Sequence, residues 1–172
     1  MEHKKGQSFS MEVFVSYAIF MLLFIVIVFL WSQTIRNIGG SQSLYEFEEL
    51  ATDVSEGLIR APGIPSDWNE TTVEVIGLSS NGSRVLDPLK VLAFVNMMNS
   101  SNYENNSDLA GTGKYDFYVR FTDINNTVIE IDGVSCATGK PYVNETKMIT
   151  EVKTAALNGQ LVRMHFTLWA GE

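Results

Sequence analysis

Cysteine is almost absent from this chain: Cys136 is the only one in 172 residues. No intrachain disulfide can form, which excludes a small disulfide-stapled secreted scaffold. Cys136 itself reads as a small, semi-buried residue after a turn, with intermolecular pairing or reactivity as the alternative. Histidine is nearly as scarce. His3 lies in the first few residues, and His165 has neither a Cys nor a second His near it in sequence, so a metal or general-base role for it is not expected. Positive charge is thin and scattered. Beyond Trp31 there are ten Lys and Arg against eighteen Asp and Glu, and the whole chain carries −8. Phosphate binding needs concentrated positive charge, so nucleic acid is not an expected partner. No nucleophile elbow, Cys–His pair or phosphate-binding loop occurs. Gly111-Thr112-Gly113 lacks the third glycine and the strand–helix setting of a dinucleotide loop, and reads as a turn. Asp123-Ile124-Asn125-Asn126-Thr127 lacks the glycine and closing glutamate of a calcium loop, and reads as a hairpin turn. Neither an enzyme nor a cofactor is expected.

What the chain has instead is one long uncharged apolar run, Val13 to Trp31. As a helix this run spans roughly 28 Å, about the thickness of a bilayer core. It exceeds the apolar core of an ordinary secretory signal, and no A-x-A-like cleavage site follows it closely. Lys4 and Lys5 precede it, so the positive-inside tendency places the N-terminus in the cytoplasm and everything after Trp31 outside. The run holds Phe14, Phe20, Phe24 and Phe29, many β-branched residues, and no Gly or Pro. Bulky side chains all round suit either lipid or a bundle of like helices, and burial at ~25 cal/mol per Å² would hold such a bundle without covalent links.

The approach to that run reads Lys4-Lys5-Gly6-Gln7-Ser8-Phe9-Ser10-Met11-Glu12. This resembles the class III signal of archaeal type IV pilin precursors: a basic leader, Gly-Gln, then Ser and Glu at alternate positions, then a hydrophobic helix. The resemblance covers residues 4 to 31. It implies that a prepilin peptidase-like enzyme cuts on the cytoplasmic side, after Gly6 or after Gln7, and that the helix is retained as the core of a filament. Counted from Gln7, Glu12 is the sixth residue of the processed chain; counted from Ser8 it is the fifth, the family's usual place. The family's glutamate at this point is thought to meet the new α-amino group of a neighbouring subunit and set its register, and the resemblance implies that role for Glu12. The alternative is a helix-dipole and interface role in a plain membrane anchor. Ser8 and Ser10 can cap the helix.

Six of the twelve asparagines open an Asn-x-Ser/Thr triplet: Asn69, Asn81, Asn99, Asn105, Asn125 and Asn144. With Ser and Thr at 27 of 172 residues, about two would arise by chance. All six lie beyond the apolar run, as glycosylation acceptors on loops of a surface protein would. The alternative is that turn residues cluster together.

The expected organisation is a leader over 1–7, a hydrophobic helix over 8–36, an amphipathic helix over 41–60 and a β-rich ectodomain over 61–172. Gly39-Gly40 separates the two helices as a hinge or local break. Leu44, Phe47, Ala51, Val54 and Leu58 form one apolar stripe, with Glu46, Glu48, Glu49, Asp53 and Glu56 over much of the rest. Pro62-Gly63-Ile64-Pro65 ends that helix. Thr72 to Leu78 reads as a strand, Asp87-Pro88 as the start of a helix to Met98, and Asn99 to Asp108 as a polar loop. Tyr115 to Thr122 alternates as a half-buried strand and turns at Asn125-Asn126 into Thr127 to Asp132. A second hairpin joins Lys147–Leu157 to Gln160–Trp169 through Asn158-Gly159. The fold class expected is α+β: a long N-terminal transmembrane or filament-core helix, then an antiparallel sheet of four to five strands packed on the helix's outer half. The function expected is a pilin: membrane-bound as precursor, then a homo-polymer at the cell surface, suited to adhesion. The competing expectation is a single-pass anchored binding or accessory protein that never polymerises.

Overall fold

In the computed structural model the described residues are 5–80, 82, 84–143 and 147–170, and of 5–10 and 35–43 the backbone alone. The chain divides into two units, Met1–Glu46 and Phe47–Glu172. One helix assignment, α1 (Lys5–Arg60), covers both expected helices and includes Gly39 and Gly40. Glycine weakens a helix interior by about 1 kcal/mol relative to alanine but keeps its N–H and C=O, so the hydrogen-bond ladder can pass through it.

The first unit is the apolar part of α1. Met11–Thr34 is a 24-residue segment of mean hydropathy 3.0 with none of its most apolar window buried. It is long and apolar enough to cross a membrane, and is equally compatible with a signal sequence.

The second unit is α+β. Its sheet has the order β1 (Val85–Leu86), β6 (Met148–Leu157), β7 (Gln160–Trp169), β2 (Asp116–Thr122), β5 (Ala137–Gly139). A separate ribbon pairs β3 (Glu130–Ile131) with β4 (Val134–Ser135). The five-stranded sheet is mixed and not purely antiparallel, because β1 runs parallel to β6, pairing Val85 with Ala156 and Leu86 with Leu157. The cause is the chain's route: after α1 the backbone crosses to the β6 edge before entering α2 (Pro88–Met98), and Arg84 O accepts from Ala156 N at 2.8 Å on the way. The β6–β7 hairpin forms in the expected register, with Asn158 at φ 52° and Gly159 at φ 76° supplying its tight turn.

Three other expectations are corrected. Thr72 to Leu78 is no strand; it makes one isolated bridge, Val75 to Ile64, and commits Leu78 N to the carbonyl of Leu58. Asn99 to Asp108 is not all loop, since α3 (Tyr103–Leu109) forms within it and ties to β2 through Tyr103 Oη, which accepts from Phe117 N at 3.1 Å. Thr127 to Asp132 forms the expected hairpin with β2 for one bridge, Thr122–Val128, closed by Asp123 N to Thr127 O at 2.9 Å and Ile129 N to Phe121 O at 3.0 Å, and then folds on itself as β3–β4, leaving β2 to pair with β5.

The core lies between the inner face of the sheet and the helices. Phe47, Ala51, Val54 and Leu58 of α1 are buried with Phe94 of α2 and with Phe117, Phe121, Met164 and Phe166 of the sheet. Leu44, the first of the expected stripe, stays exposed. Phe117 stacks between Phe94 and Phe166, at ring separations of 6.3 and 5.6 Å.

The described residues of 61–84 have almost no regular structure, so their polar backbone needs partners. The α1 C-terminus meets part of that need: Leu58, Ile59 and Ala61 carbonyls accept from Leu78, Arg84 and Ser79 N–H groups at 2.8, 3.0 and 3.0 Å. Lys90 of α2 meets another part. It is buried, and its Nζ donates to Pro62 O, Ser66 O and Ser79 O at 2.7, 2.7 and 3.0 Å, using all three of its protons. Buried Trp68 adds its Nε1–H to Gly77 O at 2.7 Å. Gly77 passes so close to Ala61 O and Gly63 N that no Cβ would fit.

Lys90→Met keeps the length of the side chain and removes its three donors, taking them from buried Ser79 O and from Ser66 O, while Pro62 O keeps the Trp68 indole. Expected is a loss of about 2–4 kcal/mol in ectodomain stability, read by denaturant unfolding of the full chain in detergent. A loss within about 0.5 kcal/mol of wild type, the range of ordinary surface changes, would show the three bonds to be dispensable.

Candidate functional site

Two regions singled out by sequence, and one that was not, are candidates for a functional role. At the N-terminal junction, Glu12 is an exposed carboxylate at the start of the apolar segment, beside exposed Met11 and Val13. Lys4 lies outside the described residues, as do the side chains of Lys5, Gln7 and Ser8; Gly6 is described only by its helical backbone.

Of the sequon asparagines, Asn69, Asn99, Asn105 and Asn125 are all exposed, while Asn81 and Asn144 lie outside the described residues. Asn69 has the most ordered geometry. Its Oδ1 accepts from Thr71 N at 2.9 Å and from Thr71 Oγ1 at 2.7 Å, closing an Asx turn across the triplet and leaving Nδ2 outward. Asn99 Oδ1 accepts from Thr138 Oγ1 at 2.9 Å. Asn99 and Asn105 both border an open cleft of about 640 Å³, with Tyr103 and Lys140. Asn125 sits in an Asx turn built by Asp123, whose Oδ1 accepts from Asn125 N at 2.8 Å and Thr127 N at 2.9 Å. That carboxylate is thus organised around its own turn. Gly111 and Gly113 have φ of 82° and 59°, as turn residues do.

Cys136 is free and buried, and burial pushes its thiol above the ordinary value, which disfavours the reactive thiolate. Tyr103 is likewise pushed up, to about 12, chiefly by burial. Among the described residues no group of three or more His, Cys, Asp or Glu is placed to hold a metal ion.

The region missed by sequence is the outer face of the sheet. Alternation assigns Arg120 to the polar face of one strand, and Arg163 and His165 to that of another, but only the register brings them together. Arg120 stands directly opposite His165, and Arg163 opposite Thr122. Thr122 Oγ1 lies 3.1 Å from His165 Nε2. Most cations of this unit have a partner. Arg60, Arg84 and Lys153 converge on Glu56, Lys140 pairs with Asp116, and Lys90 holds carbonyls. Lys114 and Lys147 lie over the rings of Tyr115 and Phe47. Arg120 and Arg163 have no carboxylate or ring partner among the described residues. Their effect is to repel: partial burial first, then Arg120 and Arg163, push the His165 imidazolium below its usual pKa.

Comparison with protein-family models, curated proteins and solved structures returns no match for this chain.

His165 gives a signed expectation. The native state disfavours the imidazolium, so on acidification the unfolded chain takes up this proton first, near pH 6.5. The contribution is complete above pH 6.5 and is lost as pH falls through the lower, folded-state pKa. His165→Gln should therefore flatten the decline in denaturation midpoint over that window, relative to wild type, and Arg120→Gln should move the His165 titration seen by NMR upward. Coincident wild-type and His165→Gln profiles would refute it.

Proposed function

We propose that this chain is a pilin, a subunit of an archaeal type IV pilus-like surface filament. In this reading it enters the membrane with its N-terminus in the cytoplasm, loses its leader after Gly6 or Gln7 to a prepilin peptidase-like enzyme, and polymerises through its apolar helix. The acidic ectodomain faces outward, carries glycans at its sequons and serves adhesion. The reading assigns no cofactor, no nucleic-acid partner and no catalytic role.

One observation carries it. The segment Met11–Thr34 leaves its bulky apolar side chains exposed, and Gly6-Gln7-Ser8-Phe9-Ser10 leads directly into it. A surface so apolar needs lipid or like helices around it. The residues behind it are those of a signal that is cut before the helix and not after it, which leaves the helix on the mature chain. Removal of the leader creates an α-amino group four or five positions from Glu12. Within one helix the two are a little over one turn apart; in the filament reading the amine that meets this carboxylate belongs to a neighbour shifted along the axis. The ectodomain packed against residues 47–60 of the same helix is then carried to the filament exterior.

Intact-mass and N-terminal peptide mapping of material sheared from the cell surface tests the reading. A chain beginning at Gln7 or Ser8, with excess mass on sequon peptides such as that of Asn69, supports it. Gly6→Trp should trap a larger, membrane-bound, unassembled form. Glu12→Gln should be processed normally yet yield about tenfold less polymer, the loss expected from about 1.4 kcal/mol of subunit contact. A full-length chain confined to the membrane, monomeric in detergent, would instead favour an anchored binding or accessory protein that never polymerises.

A further inference from the structure

We propose that the outer face of the sheet, at Arg120, Arg163 and His165, docks the acidic face of α1 of a second copy of this chain, at Glu48, Glu49 and Asp53. The proposal rests on the filament reading and adds to it a contact between ectodomains, distinct from the helix core.

The basic half is a site without an internal purpose. Like charges set opposite one another across strands destabilise a sheet, and Arg120 faces His165 with Arg163 on the diagonal. The chain carries −8, and among the described residues its other cations have carboxylates, carbonyls or rings as partners. Here it leaves two guanidinium groups unpaired among the described residues, rimmed by exposed Thr154, Val152 and Leu161. An anionic partner would turn that repulsion into attraction and would draw His165 back to its charged form.

The acidic half is on the same unit. Glu48, Glu49 and Asp53 are exposed, and none has an ion pair among the described residues, in contrast to Glu56, which gathers three cations. Glu49 and Asp53, four residues apart, share one face of the helix, with Glu48 at its flank. Glu49 and Asp53 are separated by about 6 Å along the axis, a little less than the roughly 7–8 Å diagonal between positions such as Arg120 and Arg163 on adjacent strands. The two halves cannot meet within one copy. The stripe Phe47, Ala51, Val54 and Leu58 shares one buried core with Phe117, Phe121, Met164 and Phe166, while Glu49 and Asp53 are on the exposed side of α1 and Arg120, Arg163 and His165 are at the strand positions that alternate with the buried ones. Two different, complementary patches on opposite sides of one unit make a head-to-tail contact, which propagates along a helical polymer unless it closes into a ring.

Charge reversal and its repair test this on full-length chain expressed at the cell surface. R120E/R163E and E48K/E49K/D53K should each lower the yield of sheared polymer about tenfold or more, while processing stays normal by mass. Co-expression of the two reversed chains should restore copolymer containing both. In R120K/R163K, a carbodiimide should join a peptide spanning position 120 or 163 to one spanning 48–53 of an isotope-labelled copy. Processed wild-type polymer whose yield neither reversal changes, or crosslinks that run only to another molecule, would overturn the contact and leave the pilin reading intact. A full-length, monomeric chain with no crosslink between copies would overturn both, and the mass of the chain distinguishes the two failures. Loss in both reversals without repair on co-expression also counts against the contact.

Discussion

The second unit depends on one buried ammonium group. Residues 61–84 link the long helix to the sheet with almost no strand or helix of their own, and an irregular segment cannot enter a core unless its carbonyls find donors. Lys90 supplies three from a single point, to Pro62, Ser66 and Ser79. A charged donor in a low-dielectric setting forms stronger bonds than a neutral one, and three carbonyl dipoles replace the water that Lys90 loses. Trp68 works on the same segment, with Pro62 O and Gly77 O both accepting from its indole. The linking chain is thereby folded against the end of α1, where its N–H groups complete the helix's last carbonyls.

From that anchor the rest of the unit follows. With Leu78 and Arg84 fixed on the helix end, Val85 and Leu86 emerge alongside β6 and in the same direction, which produces the one parallel pairing of the sheet. Phe47, Ala51 and Leu58 share one buried core with the inward residues of the sheet, and on its other face Arg163 and Thr154 are exposed, Arg120 and His165 half-exposed, and Thr122 and Thr167 buried. Placement of the helix stripe therefore decides which strand residues are available to a partner. Arg120 and His165 are outside because Phe117, Val119, Phe121, Met164 and Phe166 are inside.

What the sequence made legible was local. Asn158-Gly159 sits between two alternating runs, and Asp87-Pro88 opens an apolar stretch, with Asp87 Oδ1 accepting from Leu89 N at 2.9 Å as a helix cap does. The stripe from Phe47 to Leu58 has helical spacing. These signals need only neighbours within a few residues. The corrections all involve distant partners. Val73 and Val75 alternate as in a strand, yet Leu78 and Ser79 next to them are held by the α1 terminus. Thr127 to Asp132 has the composition of a hairpin arm, yet Asp132-Gly133, at φ 50° and 79°, turns it back on itself first. The arginine cluster needed the register between β2 and β7, and Lys90, in an amphipathic helix, looked like any surface lysine. Glu12 and the sequons were legible as residue types because their chemistry depends on neighbours in sequence.

The energetics of the apolar helix bear on where filament stability would come from. In water each large side chain from Phe14 to Leu30 would contribute about 1.5–3 kcal/mol on being covered, far more than any surface ion pair. But a chain drawn from a bilayer has already gained that term, since lipid tails are as apolar as leucine. Moving it into a bundle exchanges one apolar surrounding for another. Packing and polar links must then make the difference, and the helix is poor in both. Between Val13 and Trp31 it has no glycine, and Ser16 and Ala18 are its only small residues, so close backbone approach is confined to one short stretch. Its hydroxyls there are Ser16 and Tyr17 alone. The hydrophobic effect keeps such a helix out of water without selecting a neighbour or a register. In the filament reading selection would fall to charges at its margins: the carboxylate of Glu12, and beyond the apolar run the exposed acids of α1 and the basic side chains Arg120 and Arg163.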